Sequence, residues 1–258
     1  MADFSAAELR GSRFDRTNLS GARFWACDLT GARFQGVDMS GVVMRGVEMV
    51  DVEITGEIVN VTINGVDVAP LIEAELDRRD PDRAKMRPED PVGFRAAWEI
   101  LERLWGQTVA RARHLPPELL HESVDGEWSF IETLRHLVFA TDSWVSRAIG
   151  GDPSPWDPLG LPWDEGEDVP GVPRDRAARP DLDTVLELRR DRMSMVAATL
   201  GALTDESLAA QTTPVEAPGW PRPMSYPVRE CLLIVLNEEW HHRLYAERDL
   251  TTLEIRIS

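Results

Sequence analysis

Thr17-Asn18-Leu19-Ser20-Gly21-Ala22-Arg23-Phe24 carries a strict five-residue rhythm that governs the first quarter of the chain. On either side of it, Phe4, Leu9, Phe14, Leu19, Phe24, Leu29, Phe34, Met39, Met44, Met49 and Ile54 recur every five residues. Two positions before each stands a small or branched residue: Ala2, Ala7, Ser12, Thr17, Ala22, Cys27, Ala32, Val37, Val42, Val47 and Val52. Neither a helical period nor strand alternation produces a strict five. Five residues per side suggest a coil with flat faces, whose two inward positions per side stack on the next coil.

Over about residues 2–56 these residues resemble the pentapeptide-repeat family. The resemblance implies a right-handed, four-sided β-solenoid. About eleven repeats make under three coils, a stack about 13 Å tall at about 4.8 Å per coil. Val37, Val42, Val47 and Val52 depart from the family's small residues and imply a wider, less regular end. Ile58–Val68 then alternates apolar and polar residues around Asn64-Gly65, the pattern of a small hairpin that would cap the solenoid. The expected first domain is residues 1–68. Residues 69–90 read as a short helix, about Ala69–Arg79, and a proline-rich, charged linker.

From Pro91 to residue 258 the pattern is helical. Phe94, Trp98, Leu101, Trp105 and Val109 mark one face of a helix over about 91–113. Ser129 with Glu132 three residues on is a capping box that opens a second helix, about 129–150. A third is expected over about 181–203, opened by Asp181 or Asp183. A fourth, over about 225–248, would start at Ser225 with Pro227 in its first turn. Four long amphipathic segments predict a four-helix bundle. The fold class is therefore two-domain α+β. Between the second and third helices, Gly150–Pro180 holds seven prolines with Trp156 and Trp163. The tryptophans favour an ordered arm, either a lid over one end of the bundle or a packing arm along its surface.

The chain has 45 Asp plus Glu against 28 Lys plus Arg, net −17, with −4 falling in residues 1–68. This charge argues against a nucleic-acid backbone or an anionic membrane as partner. The short, mildly acidic repeat segment is also a poor DNA mimic. Cys27 and Cys231 lie in segments that should not meet, which fits a reducing cytoplasm. The N-terminal residues lack the features of a signal peptide, and the longest apolar run, Cys231–Leu236, is too short to span a bilayer.

The chemistry concentrates in Asn237-Glu238-Glu239-Trp240-His241-His242-Arg243. Glu238 and His242 are one helical turn apart on one face, so carboxylate and imidazole can hold one divalent ion from one side. His136, about two turns into the second helix, is the candidate third ligand. The stripe Cys231, Val235, Glu238, His242, Tyr245 is apolar below and polar above, as where a core opens into a pocket. His241 lies about 100° round from it and stands as the alternative inward residue. A helical Glu–His pair is also common as an ordinary surface pair. Cys231 reads as a buried, inert thiol, and Trp128 as a packing residue.

Glu127-Trp128-Ser129-Phe130-Ile131-Glu132-Thr133-Leu134-Arg135-His136-Leu137 and Glu238-Glu239-Trp240-His241-His242-Arg243 resemble the two signature helices of DinB-like proteins, over about residues 91–250. That superfamily includes YfiT-type hydrolases and mycothiol-dependent isomerases. The resemblance implies His136, Glu238 and His242 as metal ligands, with zinc favoured over nickel. It also implies chemistry on small molecules, with a low-molecular-weight thiol such as mycothiol bound to the metal. His241, Glu239 and Arg243 neighbour the ligands and are candidates to support them or to touch substrate. Arg243, Arg248 and Asp249 could bind an anionic substrate or form helix-end ion pairs.

The expected function is thus a metal-dependent, thiol-dependent transferase or hydrolase, with no catalytic base assigned. The competing expectation is a non-catalytic interaction scaffold, in which the solenoid binds protein and the metal is structural. The solenoid is expected to pack on the bundle, build a homodimer face or wall the pocket.

Overall fold

A computed structural model describes residues 4–163 and 168–257. Ala2 of the repeat pattern and residues 164–167 of the long arm lie outside the described residues. The chain divides into two compact units, Met1–Val59 and Asn60–Ser258.

In the first unit the backbone repeats every ten residues. Ser12, Ala22, Ala32 and Val42 donate their N–H groups to the carbonyls of Leu9, Leu19, Leu29 and Met39, at 2.9–3.1 Å. The glycine two residues after each carbonyl has a φ of 72–76°, the left-handed conformation that the third position of such a turn requires. Between these turns, Asn18, Asp28 and Asp38 accept from the backbone two residues on. The structure does not show the β-solenoid expected from the five-residue period. Phe14, Phe24 and Phe34 stay 56–63% exposed, and described residues 4–57 are all exposed. The bonds are local turn bonds, and a solenoid core exists only where one coil covers the next.

The second unit begins with a two-residue-per-strand hairpin, β1 (Thr62–Ile63) and β2 (Val66–Asp67), paired antiparallel around Asn64-Gly65. Both turn residues have positive φ, as a two-residue hairpin loop demands. Helix α1 (Ala69–Arg79) follows, then the short α2 (Pro81–Ala84). The proline-rich stretch is not a free tether. Arg83 bridges back to Glu73 and Asp77 at 2.7 Å, Arg103 reaches Asp82 at 2.8 Å, and Met86 is buried in the core.

The long helices are α3 (Pro91–Ala112), α4 (Phe130–Thr141), α5 (Leu182–Gly201) and α7 (Val228–Ile257), with one turn, α6 (Asp205–Leu208), before the last. Helix α4 packs on α5 and α7, and α3 packs on both as well. None of the described helices is long and apolar enough to cross a membrane. The apolar face of α3 is as its period predicts: Phe94, Trp98, Leu101 and Trp105 are all buried. Asp90 and Asp181 cap α3 and α5 by accepting from Gly93 and Thr184 at 2.7 Å.

The second helix keeps its expected span but changes its winding, and the last helix differs from the sequence reading at both ends. Helix α4 continues as a wider π-helix over Asp142–Ile149. Helix α7 starts at Val228, because Pro227 pairs with Gln211 in an isolated bridge and the Ser225 hydroxyl bonds the Thr212 carbonyl instead of capping. It also runs nine residues beyond the expected end at Arg248.

The described part of the arm between α4 and α5 is ordered by buried polar anchors. Trp156 is buried, with its indole N–H on the Ser143 hydroxyl at 3.1 Å. A Cβ added at Gly219 would lie 2.1 Å from the Trp156 ring, so only glycine lets that segment close over the indole. Two fully buried arginines tie the arm to the helix. Arg135 bonds the carbonyls of Leu159, Asp175 and Ala178, and Arg147 bonds those of Pro153, Val215, Ala217 and Pro221.

Candidate metal centre

Helix α4 opens on a complete capping box. Ser129 Oγ accepts from the Glu132 N–H at 3.3 Å, and the Glu132 carboxylate accepts from the Ser129 N–H at 2.9 Å. This fixes the start of the helix, and His136 follows two turns later on its buried face. Helix α7 brings Glu238 and His242 to the same place. Glu238 Oε2 lies 3.3 Å from His136 Nε2 and 3.0 Å from His242 Nε2. The three donor atoms all fall within 4.8 Å of one another.

These separations suit a single ion. Ligand atoms around a tetrahedral zinc, with bonds of about 2.0–2.1 Å, stand about 3.4 Å apart. Proton bookkeeping points the same way. His136 Nδ1 faces the Leu161 carbonyl oxygen at 2.9 Å, and a carbonyl only accepts, so Nδ1 carries the proton. A neutral His136 then turns the Nε2 lone pair toward a carboxylate oxygen. Two lone pairs at that distance repel unless a proton or a cation lies between them. A metal ion resolves the conflict without charging the imidazole, and the Leu161 bond is the usual outer partner of a ligating histidine. Burial pushes the Glu238 carboxyl up, but the flanking His136 and His242 imidazoles, wherever a proton or a cation is shared between ring and carboxylate, outweigh this and hold it well below the usual carboxylate range. The carboxylate form that a metal needs is thus the favoured one.

Aromatic rings surround the donors. Trp128 stacks on His242 at 5.7 Å between ring centroids and leans on His136 at 4.4 Å. Tyr245 stands edge-on to His242, and Phe139, with Trp163 beyond it, borders His136. The Glu238 side chain keeps 30% of its surface exposed against 10% for His136, so the site opens to solvent on the carboxylate side. Three converging donors and an open side match the arrangement of metal sites that bind a fourth, exchangeable group.

The neighbouring candidates lie elsewhere. Glu239 is 1% exposed, and its two oxygens sit 2.7 Å from the two terminal nitrogens of Arg189. It is neither beside the donors nor on the surface. Arg243 is buried over the Trp240 ring, 4.0 Å from Glu247, and burial lowers its pKa. His241 is half-buried against Tyr245 and is not among the converging donors. Arg248 pairs with Glu127 and Asp249, the helix-end reading of those residues. Cys231 is fully buried, and burial pushes its thiol up to about 11, which leaves it unreactive.

Two contributors escaped the sequence. Trp128 was legible as a packing residue, but nothing showed that it packs on His136 and His242. The Leu161 carbonyl has no side-chain signature at all.

Comparison with curated proteins and with solved structures finds no match. The model of pentapeptide repeats matches residues 7–46 in eight copies. The DinB superfamily model matches residues 100–246, more than half of the chain, and spans all three converging residues. With helices α4 and α7 presenting His136, Glu238 and His242 as found, the chain belongs to the DinB superfamily, with pentapeptide repeats at its N-terminus.

Proposed function

We propose that the protein is a metal-dependent enzyme acting on a small molecule, a thiol-dependent transferase or hydrolase that uses a low-molecular-weight thiol of the mycothiol type. The convergence of His136, Glu238 and His242 beneath a partly open face carries this reading. Membership of the DinB superfamily supports it. Zinc is the favoured ion and nickel the second choice, because two imidazoles and a carboxylate suit either. When bound, the ion would supply Lewis acidity that brings a water or thiol to its nucleophilic form at neutral pH.

The chain's own residues then have simple tasks. Glu238 offers the negative charge, and the Leu161 carbonyl keeps the His136 proton on Nδ1. Trp128 covers the imidazoles on one side and limits water there. Two cysteines, one exposed and one buried, with no pairing between them, suit a reducing compartment such as the cytoplasm.

The exposed apolar ladder of the repeat unit favours a second role, in protein interaction. The five-residue period and ten-residue turn rhythm support a four-sided solenoid as its packed form, and a homodimer face as one use. If that were the only role, the four-helix bundle would be a scaffold and its metal structural.

The experiment is metal analysis of the purified protein, with cobalt substitution. About one divalent ion per chain is expected, lost in His136→Ala and His242→Ala. Full metal content in both variants would remove the site. A thiol such as mycothiol should shift the cobalt spectrum; no response to any small thiol would favour hydrolysis or a structural metal.

A further inference from the structure

Arg135 precedes the candidate ligand His136 by one residue, yet it is 1% exposed and is not among the converging donors. Its guanidinium donates to three backbone carbonyls of the arm that leaves and returns to the helices. Nε bonds the Leu159 carbonyl at 2.7 Å, one terminal nitrogen bonds Ala178 at 3.0 Å, and the other bonds Asp175. The Arg135 carbonyl in turn accepts from the Leu161 N–H at 3.2 Å. Two consecutive residues of α4 therefore hold two residues of the arm, Leu159 and Leu161, on either side of Gly160. Arg135 grips Leu159 and Leu161 through its side chain and backbone, and His136 grips the Leu161 carbonyl through Nδ1.

We propose that Arg135 is a positioning residue of the metal centre, clamping both ends of the arm so that the Leu161 carbonyl stays on His136 Nδ1 and Nε2 stays free for the ion. The proposal rests on the metal reading of the site. Arginine suits the task because its planar fork reaches three acceptors at once, whereas a lysine ammonium is a single point. Burying a guanidinium on neutral carbonyls is costly, and such a residue is retained where the backbone it orders matters. Loss of an outer partner of a ligating histidine typically weakens metal binding about 10- to 100-fold.

Arg147 supplies the control within the same molecule. It is equally buried and its hydrogen bonds also go to backbone carbonyls, but they hold Pro153 and the chain at Val215–Pro221, its guanidinium lies over the Trp156 ring, and none of these contacts is to Leu159 or Leu161. The test measures zinc affinity by chelator competition, and the cobalt spectrum, on full-length wild type, Arg135→Gln, Arg135→Lys and Arg147→Gln. The expected result is zinc bound about 10- to 100-fold more weakly with an altered cobalt spectrum in Arg135→Gln. Arg135→Lys should recover part of the loss, and Arg147→Gln should keep wild-type affinity at a comparable loss of thermal stability. If Arg135→Gln does not fold, the decision passes to Arg135→Lys, expected to bind several-fold more weakly than wild type. Wild-type affinity in the folded Arg135 variants, or an equal loss in Arg147→Gln, overturns the proposal alone. A wild-type chain that binds no zinc overturns the metal centre and the proposal together.

Discussion

Arg189 of α5 and Glu239 of α7 face each other as a two-pronged pair, each terminal nitrogen 2.7 Å from a carboxylate oxygen, with both side chains at most 3% exposed. The guanidinium also lies over the Trp105 ring at 5.5 Å, so the pair joins three helices. Removing one partner strands a buried charge. Glu239→Ala is expected to lose about 3–5 kcal/mol of stability in urea unfolding. Arg189→Met combined with Glu239→Leu should regain most of that loss, since apolar residues of similar volume replace such pairs at little cost. Zinc affinity of the double variant should equal that of wild type, because the pair is directed at α5 and not at the ligands.

Cys231 gives a pH signature. Its thiol ionises near 9.0 when unperturbed and is pushed up to about 11 by burial in the fold. The sign follows: below 9 the thiol is neutral in both states and its burial is uncontested. As the pH climbs from 9 to about 11, the unfolded chain sheds the proton and the folded one does not, so stability falls. The fall over that window should be shallower in Cys231→Ala, measured by urea unfolding at a series of pH values. At pH 8 a thiol reagent should label the exposed Cys27 and spare Cys231 until the protein unfolds.

The division at Val59 predicts an independent second unit. A chain of residues 60–258 is expected to keep its helical circular dichroism and to bind zinc with the affinity of the full protein. Loss of helicity would show that the repeats contribute to the core.

The elements that could be read from sequence are those governed by near neighbours. The 3.6-residue period placed α3 through Phe94, Trp98, Leu101 and Trp105, and the Ser129–Glu132 box placed the start of α4. The Glu238–His242 spacing works because one helical turn is a fixed distance. What stayed hidden depends on partners far along the chain. Glu239, Arg135, Arg147 and Arg189 look like surface charges in the sequence. They are buried because their partners come from residues 6–74 positions away. Ser225 looked like a cap, yet its hydroxyl found the Thr212 carbonyl first. The π-helix after Thr141 has no marker in composition, since its wider turn satisfies packing against α5 and α7.

Because the acceptor on His136 is a main-chain oxygen, every amino acid at position 161 can supply it. The identity of Leu161 is therefore free to drift, within the limits of its buried side chain, without loss of that contact. The length of the chain is not. A residue inserted or deleted between the end of the π-helix at Ile149 and Leu161 would carry a different carbonyl past the imidazole or none at all. Among relatives of this chain, the stretch should tolerate exchange of letters far better than gaps.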